Sequence, residues 1–323
     1  MIKRLIAFGM ALIMLFSFAA CGDNSGDDKT TEVPSTTSYI REIKTKVAAV
    51  KDVSGFGLSK LAKDRDYAYD VTYYDDVQQV KELIKNGKTD FAAMNIYDAL
   101  ALYKEGTDIK IVSVNNFIST FVLTKGVEIK DPSGLKGKTI YSVKNDDLTE
   151  KFIRATMSWN DVDYDSLDIR MFDSVSEIVS ETEGKDEYVL MLTGIDASKL
   201  PEDKDRKTSL DLTYGWVNQR KSLPVHSVIV ARGDYIKSNS EMIDEFRMFN
   251  EVSVNFIIGN AESGAIHLFE NGFFDSAETA MAYVSQYTSL GYAEKEKMQR
   301  VVGESLEAYV DNTISVQDII YID

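Results

Sequence analysis

The sequence is short of cysteine, histidine and proline, and each shortage removes a class of function. One Cys in 323 residues excludes a disulfide framework and any Cys-based zinc or iron–sulfur site. Two His, His226 and His267, leave little for imidazole–metal chemistry, and no cofactor or metal is expected. Only four Pro, with 44% hydrophobic and 27% charged residues, describe a chain whose bulk can bury a sizeable core rather than remain disordered. Cations are outnumbered, 36 Lys+Arg against 52 Asp+Glu for a net charge of −16. That sign argues against a phosphate-backbone binder, so no nucleic-acid partner is expected. The length suits two domains of ordinary size or one larger one, and no internal repeat is visible.

What is present begins at the N-terminus. Lys3 and Arg4 precede an uncharged apolar run from Leu5 to Ala20, which ends in Phe18-Ala19-Ala20-Cys21. This is the pattern of a cleaved signal peptide over residues 1–20. The run of 16 residues is short of the roughly 20 needed to span a bilayer as a helix. Cys21 after two small residues resembles the bacterial lipobox, in which the thiol receives diacylglycerol and becomes the new N-terminus. Phe18 departs from the usual Leu at its first position. Two acyl chains suffice for stable anchoring. Residues 21–38, rich in Asp, Ser, Thr and Gly, read as a disordered tether that holds a folded body off a membrane. Removing residues 1–20 takes away Lys3 and Arg4 and no acid, so the charge falls from −16 to −18.

The body alternates strand-like and helix-like segments. Short β-rich runs at 47–50, 69–74, 90–94 and 109–114 are separated by amphipathic stretches that start at Ser54-Gly55-Phe56-Gly57, at Val77 and at Tyr97. A second series follows Asp131-Pro132-Ser133-Gly134: strands at 138–143, 167–172 and 188–192, helices at 149–159 and 175–181. Then come a strand at 225–231 and helices at 240–258, 277–290 and 294–310. Repeated β-α-β alternation predicts an α/β fold with mixed, mostly parallel sheets flanked by helices, and two sheets rather than one. Two such lobes leave a cleft, where small ligands bind at the carboxyl ends of parallel strands.

Several fragments imitate catalytic motifs. Gly134-Leu135-Lys136-Gly137-Lys138-Thr139 ends like a P-loop, but Pro132 stands where the spacing needs Gly, and the Lys-Thr pair begins a strand. Ser133 to Lys136 matches S-x-x-K, yet the Ser lies in a Pro-Ser-Gly turn and not at a helix start. There is no G-x-S-x-G and no H-E-x-x-H. His226 and His267 read as structural. Lys144-Asn145-Asp146-Asp147 could offer oxygen ligands to a hard cation or, more simply, cap a helix. No enzyme is indicated.

Lys46-Val47-Ala48-Ala49-Val50-Lys51 before a Gly-rich helix start, Asp90 to Asn95, Gly134 to Tyr141, and Val228-Ile229-Val230-Ala231-Arg232-Gly233-Asp234-Tyr235 with the helix after it together resemble the type II periplasmic binding proteins of the sulfonate, taurine and thiamine-precursor group. The resemblance implies a two-lobed fold: lobe 1 from residues 39–117 and 229–323, lobe 2 from 125–222, and a two-segment hinge at 118–124 and 223–228. It implies a lipid-anchored, monomeric receptor on the extracytoplasmic face of a bacterial membrane. Such a receptor closes on a small-molecule solute and delivers it to an ABC permease and its ATPase. It also implies ligand contacts at Ser54, Gly55 and Phe56 after the first strand, Asn95 and Tyr97 after the third, Ser119 and Thr120 at the hinge, and Asn145, Asp146 and Thr193 in lobe 2. For Ser54 and Asn95, helix capping is an equal alternative.

The loops depart from the family's habit, with Asp52-Val53-Ser54-Gly55 in place of Gly-Pro-Thr-Gly and Lys144 to Asp147 in place of a Gly-rich turn. Asp146 and Asp147 would repel an anion, so cationic, zwitterionic and neutral heteroaromatic solutes stand beside sulfonates, with Phe56 and Tyr97 offering stacking faces. Two other functions stay open: a solute-sensing or surface-binding lipoprotein not coupled to transport, and an enzyme of pyrimidine or cofactor metabolism on the same fold.

Overall fold

Eleven strands among the described residues pair into two mixed sheets. The computed structural model describes residues 45–63 and 68–322; the expected leader, the tether and Cys21 lie outside the described residues. In chain order the strands are β1 Thr45–Val50, β2 Tyr69–Tyr74, β3 Phe91–Asn95, β4 Ile109–Phe117, β5 Thr120–Lys125, β6 Thr139–Val143, β7 Asp168–Phe172, β8 Tyr188–Thr193, β9 Lys207–Asp211, β10 Val225–Arg232 and β11 Leu290–Ala293. The first sheet runs β11-β4-β10-β3-β1-β2, and the second β7-β6-β8-β5-β9.

Each sheet is parallel where the β-α-β alternation is strict and antiparallel where the chain changes sheets. β1 pairs in parallel with β2 and β3, setting Val47 opposite Val71 and Phe91. β6 does the same with β7 and β8. β10 lies antiparallel between β3 and β4, and β5 antiparallel between β8 and β9. The inner strands on the parallel side, β1, β3 and β8, are nearly continuous buried runs because helices cover both faces. On one face of the first sheet the helix Ser240–Gly259 buries Ile243, Phe246, Val254 and Ile257, and Phe246 stacks on Phe91 at 4.0 Å between centroids. On the other, the helix Val77–Lys85 buries Val80 and Ile84 and is capped by Asp76, whose carboxylate accepts the Gln78 N–H.

The crossings between the sheets are shorter than the sequence suggests. Of the segment 118–124, only 118–119 lie outside strands, and Thr120 onward is an interior strand of the second sheet. Val225 to Val228 likewise belong to β10. Apolar residues flanking a crossing gain ladder hydrogen bonds by pairing, and buried backbone polar groups must find partners. The expected helix at 277–290 is also divided. It runs as α-helix over Ala277–Ala282 and π-helix over Tyr283–Tyr287, and then gives way to β11. The helix expected at 294–310 is α-helical over Lys295–Ser305 and π-helical over Leu306–Val310.

Both π-helical segments pack across the two halves of the body. Tyr287 sets its ring edge-on to Phe121 of β5 at 5.3 Å. Tyr309 lies edge-on to Trp216 and Phe152 at 5.1 and 5.9 Å, and its hydroxyl donates to the Val225 carbonyl at 2.7 Å. Among the described residues no helix is long and apolar enough to cross a membrane.

Candidate functional site

The chain crosses between the sheets at 118–119 and again just before Val225, and these crossings lie side by side. The Ile118 N–H donates to the Pro224 carbonyl at 2.8 Å, and the Thr213 hydroxyl donates to the Ile118 carbonyl at 2.9 Å. Against them opens a cavity of about 210 Å³. Its walls come from the loops at the carboxyl ends of four parallel strands: Asp52 and Val53 after β1, Asn95 at the end of β3, Asp146 after β6, and Thr193 with Gly194 and Ile195 after β8. Asn116, Phe117, Ile118, Ser119, His226, Thr149 and Ser289 complete it. Ligands in open α/β sheets bind in this position.

Three polar residues of the lining owe their place to helix capping. Asn95 Oδ1 accepts the Asp98 N–H at 2.9 Å, Asp146 Oδ1 accepts the Thr149 N–H at 2.7 Å, and Thr193 Oγ1 accepts the Asp196 N–H at 3.3 Å. Each cap fixes its backbone in extended conformation at the strand end and so holds the residue at the cavity wall. Asp52 Oδ1 accepts the Ser54 N–H at 2.7 Å in the same manner.

One polar pair faces across the cavity from the two sheets. His226 Nε2, at the start of β10, lies 3.6 Å from Asp146 Oδ2. His226 Nδ1 is 2.6 Å from Ser227 Oγ, which lies 2.9 Å from Ser54 Oγ. Burial works against the charge on Asp146, but His226 and the Thr149 N–H and hydroxyl outweigh it and hold the carboxyl down at about 2. Among the described residues no group of three or more His, Cys, Asp or Glu side chains is arranged to hold a metal ion. Lys144 and Asn145 lead into the helix Asp147–Ser158, which Asp146 caps.

Of the residues singled out in the sequence, the structure brings Asn95, Ser119, Asp146 and Thr193 to this cavity. The others fall elsewhere. Ser54 is fully buried beneath it, bonded to Ser227. Gly55 packs against the Val50 carbonyl and the Tyr73 and Phe273 rings. Phe56 is 1% exposed inside an aromatic cluster, so it offers no face to a solute. The Tyr97 hydroxyl donates to the Tyr309 carbonyl, and Lys151 covers its ring at 4.8 Å. Thr120 is buried in β5 opposite Thr193, and Asn145 is not in the lining. His226, read from the sequence as structural, lines the cavity. Asn116 also lines it, because β4 runs past the expected end at Val114 to Phe117; two Asn after an apolar run are the sign in the sequence of buried polar work.

The model of the NMT1/THI5-like family matches residues 67–263. This chain belongs to that family. The fold of this NMT1/THI5-like protein is shared with solved structures of low sequence identity. An ABC transporter protein from Parabacteroides distasonis superposes with a TM-score of 0.67 at 14% identity, covering 87% of this chain and 100% of that one. The periplasmic aliphatic sulphonate binding protein SsuA from Escherichia coli gives 0.64 at 13%, covering 86% and 97%. The ligand-binding component of an ABC-type import system from Staphylococcus aureus gives 0.58 at 13%, covering 87% and 97%. These likenesses establish the periplasmic-binding-protein fold. No curated protein matches the chain.

Within this NMT1/THI5-like protein, Gly194 lies tightly against the C-terminal region. Its N–H donates to the Ser119 carbonyl at 3.1 Å, and Ser119 Oγ donates to the Tyr287 carbonyl at 3.3 Å. A Cβ at position 194 would fall on the Tyr287 carbonyl oxygen and on Ser119 Oγ. The first is backbone and cannot swing aside. Gly194→Ala is therefore expected to cost about 1–3 kcal/mol by overpacking, measured from denaturant midpoints. A cost below about 0.5 kcal/mol would show that the 287 segment yields.

Proposed function

We propose that this NMT1/THI5-like protein is an extracytoplasmic receptor that binds a small solute in the cavity between its two sheets and hands it, chemically unchanged, to the permease and ATPase of an ABC importer. The observation that supports this reading is the origin of the cavity walls. A solute held there touches loops of both sheets, and such contacts favour a closed arrangement of the two halves. The proteins sharing the fold agree with it: one is a periplasmic sulphonate binding protein from E. coli, another a ligand-binding component of an import system from S. aureus. In this reading Asn95, Ser119, Asp146 and Thr193 meet the solute, the short crossings at 118–119 and 223–224 within the expected hinge segments flex, the body acts as a monomer, and acylated Cys21 ties it to the membrane.

A ligand that binds only the folded protein stabilises it by about 2.7 kcal/mol at a hundred times its Kd, which for a body of this size raises the melting temperature by roughly 5 °C. Thermal melting against a broad panel of small nitrogenous, neutral and sulfonated solutes is expected to show such a rise for a narrow chemical group. Flat melting curves across the panel would count against the receptor reading.

A further inference from the structure

The lining of the cavity carries more information than its position. Its ionisable side chains are Asp52, Asp146 and His226, and no Lys or Arg stands among its lining residues. Three hydroxyl donors of the wall are already committed to the protein. Ser119 Oγ donates to the Tyr287 carbonyl, Ser289 Oγ to Asn116 Oδ1 at 2.7 Å, and Thr193 Oγ1 to Asp196 Oδ2 at 2.8 Å. The Asn116 amide donates to the Val53 carbonyl at 3.0 Å. Toward the cavity the Asn95 amide keeps its N–H donors, since only its Oδ1 is engaged, while the carboxylates bring acceptor capacity: Asp52 spends one oxygen on Ser54, and Asp146 Oδ2 lies 3.6 Å from His226 Nε2.

A sulfonate or carboxylate placed here would bring negative charge to two carboxylates, with no Lys or Arg in the lining to offset it. Desolvated polar groups without partners are costly, and like charges repel at close range. At each of the helix starts one N–H is already taken by the cap side chain, and at Asp146 that cap is itself a carboxylate. A cation with N–H donors meets the opposite situation, with acceptors waiting for it. Val53, Phe117, Ile118 and Ile195 supply an apolar surface for the remainder of the molecule.

We propose that the solute is a small organic cation, an ammonium or amidinium group on a short apolar body, recognised by Asp52 and Asp146; this rests on the receptor reading given above. Both carboxylates also serve as turn or cap acceptors, and Asn at either position keeps an acceptor oxygen while removing the charge. Asp52→Asn and Asp146→Asn are therefore the informative variants, each expected to melt within a few degrees of the parent.

The test is binding of butylammonium, butanol and butanesulfonate at neutral pH, by calorimetry and by melting temperature. Butylammonium is expected to bind, butanol weakly, and butanesulfonate not at all. Each Asn variant is expected to weaken butylammonium about tenfold or more, the scale of losing a hydrogen bond to a charged group. Binding of butanesulfonate without butylammonium would overturn the cation assignment and leave the receptor reading standing. Butylammonium bound equally by parent and both folded variants would place it outside this cavity and also overturn the assignment. No response to these three probes or to the wider panel would overturn both readings. Should one variant fail to fold, the other and the comparison of the three probes on the parent decide the matter.

Discussion

Replacing Phe56 with Ala is expected to lower the stability of the protein by about 3–5 kcal/mol, the usual cost of deleting a fully buried aromatic ring. The ring is 1% exposed and touches three others. Phe273 meets it edge-on at 4.9 Å, Tyr283 edge-on at 5.3 Å, and Phe274 tilted at 5.4 Å. Such edge contacts add to the area buried. The cluster fastens the first loop of the first sheet to the C-terminal helices, so its loss leaves a cavity that stiff neighbours cannot fill. At about 2 °C per kcal/mol for a body of this size, the melting temperature should fall by roughly 6–10 °C. A fall of a degree or less would show that the ring is not part of the core.

Arg247→Met is expected to cost about 2–5 kcal/mol, at 1–3 kcal/mol for each buried carbonyl left without its partner. Arg247 is 1% exposed on the helix Ser240–Gly259. Its Nε donates to the Val112 carbonyl at 3.0 Å and its Nη2 to the Tyr321 carbonyl at 2.7 Å. Val112 sits in an irregularity of the sheet: Ser113 pairs with Ile229 and Ile111 with Val230, which leaves one residue of β4 over. A bulge of this kind leaves its extra residue out of the ladder, and the guanidinium takes up the carbonyl. Asp244 Oδ1 accepts from Nη1 at 3.2 Å, and its carboxylate is half exposed, so the charge is balanced at the surface while the hydrogen bonds are made inside. Arg247→Lys should fall between the two, since an ammonium cannot present the same fork. Equilibrium unfolding of the three proteins checks the order, and equal stability of Arg247→Met and parent would refute it.

These two positions show what the sequence could and could not convey. The helix at 240–258 was legible from Ile243, Phe246 and Phe249 at helical spacing, and most strands from their β-branched runs. Arg247 was not legible, because its role depends on a bulge in a strand more than a hundred positions away. β9 was missed because Lys207-Thr208-Ser209-Leu210-Asp211 is a polar edge strand with a weak alternation. At the candidate site, the family resemblance pointed to Asn95, Asp146 and Thr193, and all three stand at the cavity wall as helix caps. His226, Asn116 and Ser289 come from three distant parts of the chain with no local motif, and only the sheet order brings them together. Phe56 was misread because an aromatic ring beside a Gly in a loop looks the same in sequence whether it faces a solute or a core.

The placing of β10 also bears on how the molecule is made. The strands of the second sheet, β5 to β9, are contiguous in the chain and complete at Asp211. The first sheet is not, since β10 begins at Val225 and inserts between β3 and β4. A nascent chain can therefore close its second sheet while the first is still two unjoined pieces with bare strand edges. Pairing across such sequence distance is slow, and open edges invite association with other chains. The interval between emergence of β9 and docking of β10 is thus the stage of biogenesis at which this protein most needs protection.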